Sequence, residues 1–210
     1  MTIRRPYRRQ AEDTRKSALI AAALGLIATG GQKAATVRAI ADKADVTPGL
    51  IRHYFASKDD LTRAAYQQLM EQMTAASIKV LETVPADPPS QLAAFVVASL
   101  RPPVVDPTAV GLWAGFLHDV QHDPEMREVH STAYLGYRDR LQSLIAALPR
   151  PADAARLRAD AIACNAVIDG LWLEASVLPE RFEPGEIERI GLASVSAILG
   201  FDLTNIVVTE

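Results

Sequence analysis

The chain holds one cysteine, Cys164, among 210 residues. No intrachain disulfide framework is possible, and a reducing, cytoplasmic setting is expected. Aromatics make up only 6% of the residues. Segments of alternating β-branched residues are few, so a sheet-based fold is disfavoured. No uncharged apolar run approaches ~18 residues, so no membrane-spanning helix is expected. The stretch SALIAAALGLIATGG sits behind a basic start but follows Glu12 and Asp13 and leads into further structured pattern. It is expected to be a helix and not a signal peptide. There is no glycine-rich phosphate loop, no nucleophile elbow and no plausible catalytic triad. An enzyme is therefore the weaker expectation, no cofactor is expected, and no internal repeat is evident.

What is present is an ordinary globular balance, 49% hydrophobic and 22% charged. The net charge of −3 conceals an asymmetry. Residues 1–63 carry 12 Lys/Arg and 6 Asp/Glu, a net of +6, while residues 64–210 carry 10 and 19, a net of −9. A basic amino-terminal third on an acidic body suggests that one end meets a polyanion.

Helical period runs through nearly every segment. A basic arm (Arg4, Arg5, Arg8, Arg9) precedes a helix from about Asp13 to Thr29, with Ile20, Ala23, Leu24 and Ile27 as its apolar stripe and Gly30-Gly31 as its stop. Thr36 is placed to cap a second helix, Val37–Ala44. Thr47 is placed to cap a third, to about Phe55, and Ser57 a long fourth, Lys58 to about Thr83. Later helices are expected over Ser90–Leu100, Thr108–Gln121, Pro124–Leu148, Ala152–Leu178 and Pro184–Leu199, with prolines near the breaks. The fold class is all-α: an N-terminal three-helix helix-turn-helix domain, 1–63, and a larger helical domain, 64–210. The tail FDLTNIVVTE, Phe201 to Glu210, is β-prone, lacks partners and is left unassigned as poorly ordered.

Two short capped helices joined by a tight turn describe a helix-turn-helix, whose second helix enters the major groove. Ile40, Ala41, Val46, Ile51 and Phe55 form its small core, leaving Arg38, Arg52, His53, Tyr54 and Lys58 outside. One feature is unusual. In VTPGLIRHYF, Gly49 falls in the first turn, where it costs about 1 kcal/mol against alanine. Pro48 suits the first helical position, and a bare Gly49 allows close approach to a groove.

The segment TVRAIADKADVTPGLIRHYFASKDDL resembles the DNA-binding domain of the TetR family of one-component repressors, over about residues 13–66. The threonine before the second helix, the ADKADVT turn, the HYF triplet and the following Lys58 carry the resemblance. It implies that Thr36, Thr47, Tyr54 and Lys58 contact phosphates, while Arg38, Pro48, Gly49, Leu50, Arg52 and His53 face the groove. Arg52 is the expected guanine donor, Leu50 suits a thymine methyl, and His53 suits either a base or a phosphate. The arm arginines suit an adjacent minor groove or a disordered arm.

The segments LWAGFLHDVQHDPEMREVH, YRDRLQSLI and NAVIDGLWLEASVL resemble the ligand-binding domain of BetI-like regulators, which repress choline and betaine genes. The resemblance extends over about residues 90–199 and implies ligand binding and dimerisation. Ala161, Asn165, Asp169, Trp172 and Ser176 share one helix face, and Gly191, Ala193, Ser194 and Ala197 allow close helix approach. They are expected at a two-fold, four-helix interface, or else in packing within the chain.

Trp113, Phe116, Tyr134, Tyr137 and Trp172 are candidates for a pocket wall. The carboxylates Asp119, Asp169 and Glu174 would bias such a pocket toward a cation, and rings plus a carboxylate suit quaternary ammonium groups. His118 and His122 have an i, i+4 spacing that can hold a metal, with Asp119 and Asp123 beside them and His130 further on. They also sit at a helix end, where the dipole favours histidine, and no metal is expected. Cys164 reads as a small buried hydrophobe. The leading expectation is a dimeric repressor, bound to a palindromic double-stranded operator and released by a small-molecule effector. The alternatives are a constitutive DNA-binding protein without effector and, last, an enzyme.

Overall fold

The computed structural model describes residues 4–206, with side chains from Glu12 onward. Among these residues there are nine α-helices and no strand. They are α1 (Arg4–Gly30), α2 (Val37–Lys43), α3 (Pro48–Tyr54), α4 (Lys58–Lys79), α5 (Pro88–Ser99), α6 (Pro107–His122), α7 (Pro124–Ala146), α8 (Ala154–Val177) and α9 (Glu186–Leu199).

Local chemistry accounts for the starts. Thr36 Oγ1 accepts from the Ala39 N–H at 3.1 Å, and Ser57 Oγ from the Asp60 N–H at 3.0 Å. Asp87 and Asp153 cap α5 and α8 in the same way. Proline opens α3, α5, α6 and α7, where its missing N–H costs nothing. Thr47 departs from expectation: it occupies the N-cap position of α3, but its side chain makes no capping hydrogen bond. The helix start is set instead by Pro48 and by extended backbone at Thr47 (φ −81, ψ 149).

α1 begins at Arg4, well before the expected Asp13. Pro6 falls in its first turn, where N–H groups lack intrahelical partners anyway. The backbone of the basic arm is thus helical, while the side chains of Arg4, Arg5, Arg8 and Arg9 lie outside the described residues.

The chain divides into two compact units. The first comprises Met1–Leu69 and Gly111–Val129, so the helix-turn-helix shares its unit with most of α6 and the start of α7. The expected apolar stripe of α1, Ile20, Ala23, Leu24 and Ile27, is buried, as are Ile40, Ala41, Ile51 and Phe55. Tyr66 of α4 packs on Phe116 of α6 at 4.9 Å between ring centroids. Gln32 Nε2 donates to Asp119 Oδ2 at 2.6 Å. Arg63 pairs with Asp60, Asp123 and Glu125, joining α4 to α7 inside this unit.

The second unit comprises Met70–Val110 and His130–Glu210. α5 is its buried centre: every residue from Leu92 to Ser99 is buried. α8 and α9 pack on each other and on α5. At Gly191 of α9 a Cβ would lie 2.2 Å from Leu100 Cδ1, so glycine lets α9 approach the end of α5. Asp160, almost wholly buried, is held by Arg150 and Arg156. Arg156 also donates to the Ile198 carbonyl at 3.2 Å, tying α8 to the end of α9.

The carboxy-terminal segment corrects the expectation of disorder over its described part. Gly200 turns the chain in the left-handed region (φ 62), and Leu203 is fully buried. The Leu203 N–H donates to Ser196 Oγ at 3.0 Å and the Phe201 N–H to the Ser196 carbonyl at 3.2 Å. The segment needs no strand partner because α9 supplies its acceptors. Residues 207–210 lie outside the described part.

Candidate nucleic-acid interface and effector site

The α2–α3 pair is built around a compact turn. Asp45 adopts the left-handed conformation (φ 53), which an aspartate tolerates better than most residues. The Val46 N–H reaches back to the Ala41 carbonyl at 3.0 Å. Ala41 is fully buried at the crossing, where a larger side chain would separate the helices. Sequence marks a turn here, but not the conformation of Asp45.

The positions that resemble DNA contacts all reach the surface of this one unit. Thr36, Arg38, Thr47, Pro48, Gly49, Arg52, His53 and Lys58 are exposed, and Leu50 and Tyr54 half-buried. The His53 and Tyr54 rings meet edge-on at 5.1 Å. The space beside Gly49 is open: a Cβ there would find only Thr47 Oγ1, 3.9 Å away. Among the described residues, none crowds this position.

A polar cluster lies in the second unit. Tyr134 Oη of α7 donates to Asp169 Oδ2 of α8 at 2.5 Å. Asn165 Nδ2 donates to Tyr134 Oη at 2.7 Å and to Asp169 Oδ2 at 2.8 Å. The His130 ring stacks on Tyr134 at 5.5 Å. Nearby, Ser99 Oγ lies 2.8 Å from both Ser77 Oγ and Tyr137 Oη, and the Phe95 and Tyr137 rings are 5.0 Å apart. Burial pushes the Asp169 carboxyl up, against opposing hydrogen bonds from Tyr134 and Asn165 and the charge of His130. Burial and the Asp169 carboxylate push the Tyr134 phenol up to about 12. Burial lowers the His130 imidazole, with Asp169 pulling the other way.

The aromatic candidates therefore separate. Tyr134, Tyr137, Asp169 and Trp172 belong to the second unit, and Trp113 and Phe116 to the first. Phe116 is 0% exposed and packs on Tyr66. Trp172 is buried, its indole N–H donating to the Val104 carbonyl at 3.0 Å. Of the carboxylates, Asp119 accepts from Gln32, and Glu174 is exposed. Asn165, Ser77, Ser99 and His130 were not expected in a ligand cluster. Asn165 and His130 had a visible signal, an i, i+4 spacing to Asp169 on α8 and to Tyr134 on α7.

The rings of His118 and His122 are 4.3 Å apart, and His122 Nδ1 lies 2.7 Å from the His118 carbonyl oxygen. They line a polar cleft of about 300 Å³ with Gln32, Lys58, Arg63 and Asp119 among its walls. Among the described residues, no group of three or more His, Cys, Asp or Glu is placed to hold a metal. Cys164 is fully buried, and burial pushes its thiol up to about 12, as suits a packed apolar side chain.

The small-residue face of α8 points the other way from the interface expected of it. Ala161, Asn165, Trp172 and Ser176 are buried within the chain, and so is Gly191 on α9. The outward stripe of α8 is instead Ile162, Ala166, Gly170, Leu173 and Val177, with Ile162, Leu173 and Val177 exposed by 41%, 44% and 56%. Ala193 and Ala197 of α9 are exposed too.

A helix-turn-helix whose second helix presents exposed residues, in a chain with a larger helical body, is the arrangement of a DNA-binding transcriptional regulator. Residues 19–65 match the family described as bacterial regulatory proteins, tetR family. Residues 88–200 match the BetI-type transcriptional repressor C-terminal family. The chain belongs to the TetR family, in its BetI-type branch. It is 32% identical to the HTH-type transcriptional regulator BetI of Stenotrophomonas maltophilia R551-3, over 85% of this chain and 90% of that one. The BetI regulator of Paraburkholderia phytofirmans PsJN is 27% identical over 89% and 94%. In three dimensions the chain is similar to a protein of Pseudomonas aeruginosa PAO1 solved as a candidate transcriptional regulator. The TM-score is 0.82, at 29% identity over 93% of this chain and 95% of that one.

Proposed function

We propose that this protein is a ligand-responsive repressor that binds a palindromic operator as a homodimer and leaves it when a small cationic effector, choline-like in character, binds the carboxy-terminal unit. The observation that carries the DNA half is the empty flank of Gly49 on an exposed recognition helix. Thr36, Thr47, Tyr54 and Lys58 hold phosphates and set register. Arg38, Pro48, Gly49, Leu50, Arg52 and His53 face the groove, with Arg52 on a guanine. In this division of labour, residues 1–63 read DNA and residues 64–210 bind ligand and dimerise.

The outward apolar stripe of α8 supports dimerisation, because three large apolar side chains in register on one helix face favour burial against a second copy. Two-fold pairing would hold the recognition helices about 34–36 Å apart, one turn of DNA. An effector that binds one separation better than the other shifts the population away from the operator-bound form. α4, α6 and α7 each run from one unit into the other, and α4, which carries Lys58 at its start, is a covalent route by which that bias reaches the DNA-reading segment. The Tyr134–Asp169–Asn165 cluster, with Tyr137, supports a cation site.

Fluorescence anisotropy on operator DNA, titrated with choline, tests the reading. Release of DNA at a saturable choline concentration is expected. DNA binding that ignores choline and a panel of other small cations would leave a constitutive DNA-binding protein.

A further inference from the structure

The cleft in the first unit has two imidazoles on its wall and a surplus of negative charge. His118 and His122 are exposed there, one helical turn apart on α6, with ring centroids 4.3 Å apart. His122 Nδ1 lies 2.7 Å from the His118 carbonyl oxygen. A carbonyl only accepts, so Nδ1 is the nitrogen that carries the proton, and Nε2 of the neutral ring keeps its lone pair. A backbone hydrogen bond of this kind orients metal-ligating histidines. The helix dipole accounts for His122, in the last turn of α6, but not for His118. The charged walls of the cleft are Lys58 and Arg63 against Asp59, Asp119 and Asp123. Arg63 is matched more than once, by Asp60, by Asp123 at 3.6 Å and by Glu125 at 3.0 Å. The surplus favours a cation over an anion. Imidazole nitrogen favours a transition metal over magnesium or calcium, which seek oxygen.

We propose that His118 and His122 chelate a divalent transition-metal cation, such as nickel or zinc, in this cleft. The site does not depend on the effector reading above. Two nitrogens that share an ion at about 2.0–2.1 Å lie at most about 4.2 Å apart. Exposed rings with centroids 4.3 Å apart reach that spacing by small rotations. Among the described residues no group of three or more His, Cys, Asp or Glu is placed to hold a metal, so the two imidazoles are the protein's share and water fills the other positions. Such a site is open and exchangeable, unlike the closed four-ligand sites that hold a fold together.

Isothermal titration of the full chain, without an affinity tag, tests the site with nickel and zinc chloride, and with magnesium chloride as the hard-cation comparison. Nickel or zinc is expected to bind stoichiometrically and at least about 10-fold more tightly than magnesium, which is about 1.4 kcal/mol. His118→Gln and His122→Gln are each expected to weaken that binding by about 10-fold or more, and the double variant to abolish it. Both side chains are exposed, so the variants are expected to keep the helical content of the parent. Magnesium bound as tightly as nickel and zinc overturns the imidazole site and leaves only an acidic surface. Unchanged affinity in either single variant overturns the chelating pair. Absence of heat for nickel and zinc at millimolar concentration, with an unshifted melting temperature, overturns the site outright. None of these outcomes bears on choline, so the effector reading stands or falls separately.

Discussion

Gly49 shows how one residue separates stability from function. Its flank is open, so Gly49→Ala meets no atom closer than 3.9 Å and gains helix propensity. Stability is expected to hold or rise by up to about 1 kcal/mol, read from urea midpoints. Operator affinity in the same variant is expected to fall at least tenfold, because the added methyl separates the helix from the groove. Equal operator affinity in the alanine variant would remove close approach as the reason for glycine. Arg52→Ala is expected to cost about 1–3 kcal/mol at one position per half-site and to relax sequence preference there. His130 carries a pH dependence. Its imidazole is depressed below 6.5 by burial, so the unfolded chain binds the proton first as pH falls. Stability is therefore expected to be whole above 6.5 and to decline as pH drops through the window between the unfolded and folded values. His130→Gln should flatten that decline in denaturation series between neutral and acidic buffer.

At the scale of helices, α8 is the instructive element. Apolar and small residues occupy both its faces, so periodicity alone does not say which face meets a neighbour. The structure turns Ala161, Asn165, Trp172 and Ser176 inward and leaves Ile162, Leu173 and Val177 outside. The double variant Leu173→Glu/Val177→Lys is expected to keep the helical content of the parent and to sediment as a monomer. A dimer of undiminished affinity would move the interface elsewhere. α9 makes the complementary point at Gly191. Gly191→Leu places a side chain against Leu100 in a packed interior and is expected to cost about 1–3 kcal/mol by overpacking. Thermal unfolding checks it, and an unchanged midpoint would mean that α9 can slide away from α5.

For the whole molecule, charge is the governing quantity. A net of +6 over residues 1–63 and −9 over the rest orients the chain toward a polyanion and keeps its body from sticking to one. Operator affinity is expected to fall linearly in log–log against salt. Lys58→Ala should reduce the slope by about 0.9, one phosphate's worth, and weaken all sequences alike. A loss confined to the preferred sequence would contradict a phosphate role.

Much of this was legible from residues alone, and the reasons are local. Thr36, Ser57 and the helix-opening prolines declare helix starts because capping depends on neighbours within one turn. Gly30-Gly31 marks the end of α1, and the ADKADVT turn marks the helix-turn-helix. Other features depend on residues distant in sequence. The aromatics at Phe116 and Trp172 look alike as a pattern, yet one packs on Tyr66 and the other donates to Val104. The tail beyond Gly200 offers no partner in its own sequence and finds one in Ser196.

The all-helical chain, the helix-turn-helix segment and its basic character could be read without coordinates, because helix periodicity, caps and charge act over a few residues or add without regard to geometry. Which face of α8 is buried, which carboxylate meets Tyr134 and where Asn165 points its oxygen emerge from the folded arrangement alone. Those depend on how helices far apart in sequence stack, and close packing makes that choice one side chain at a time.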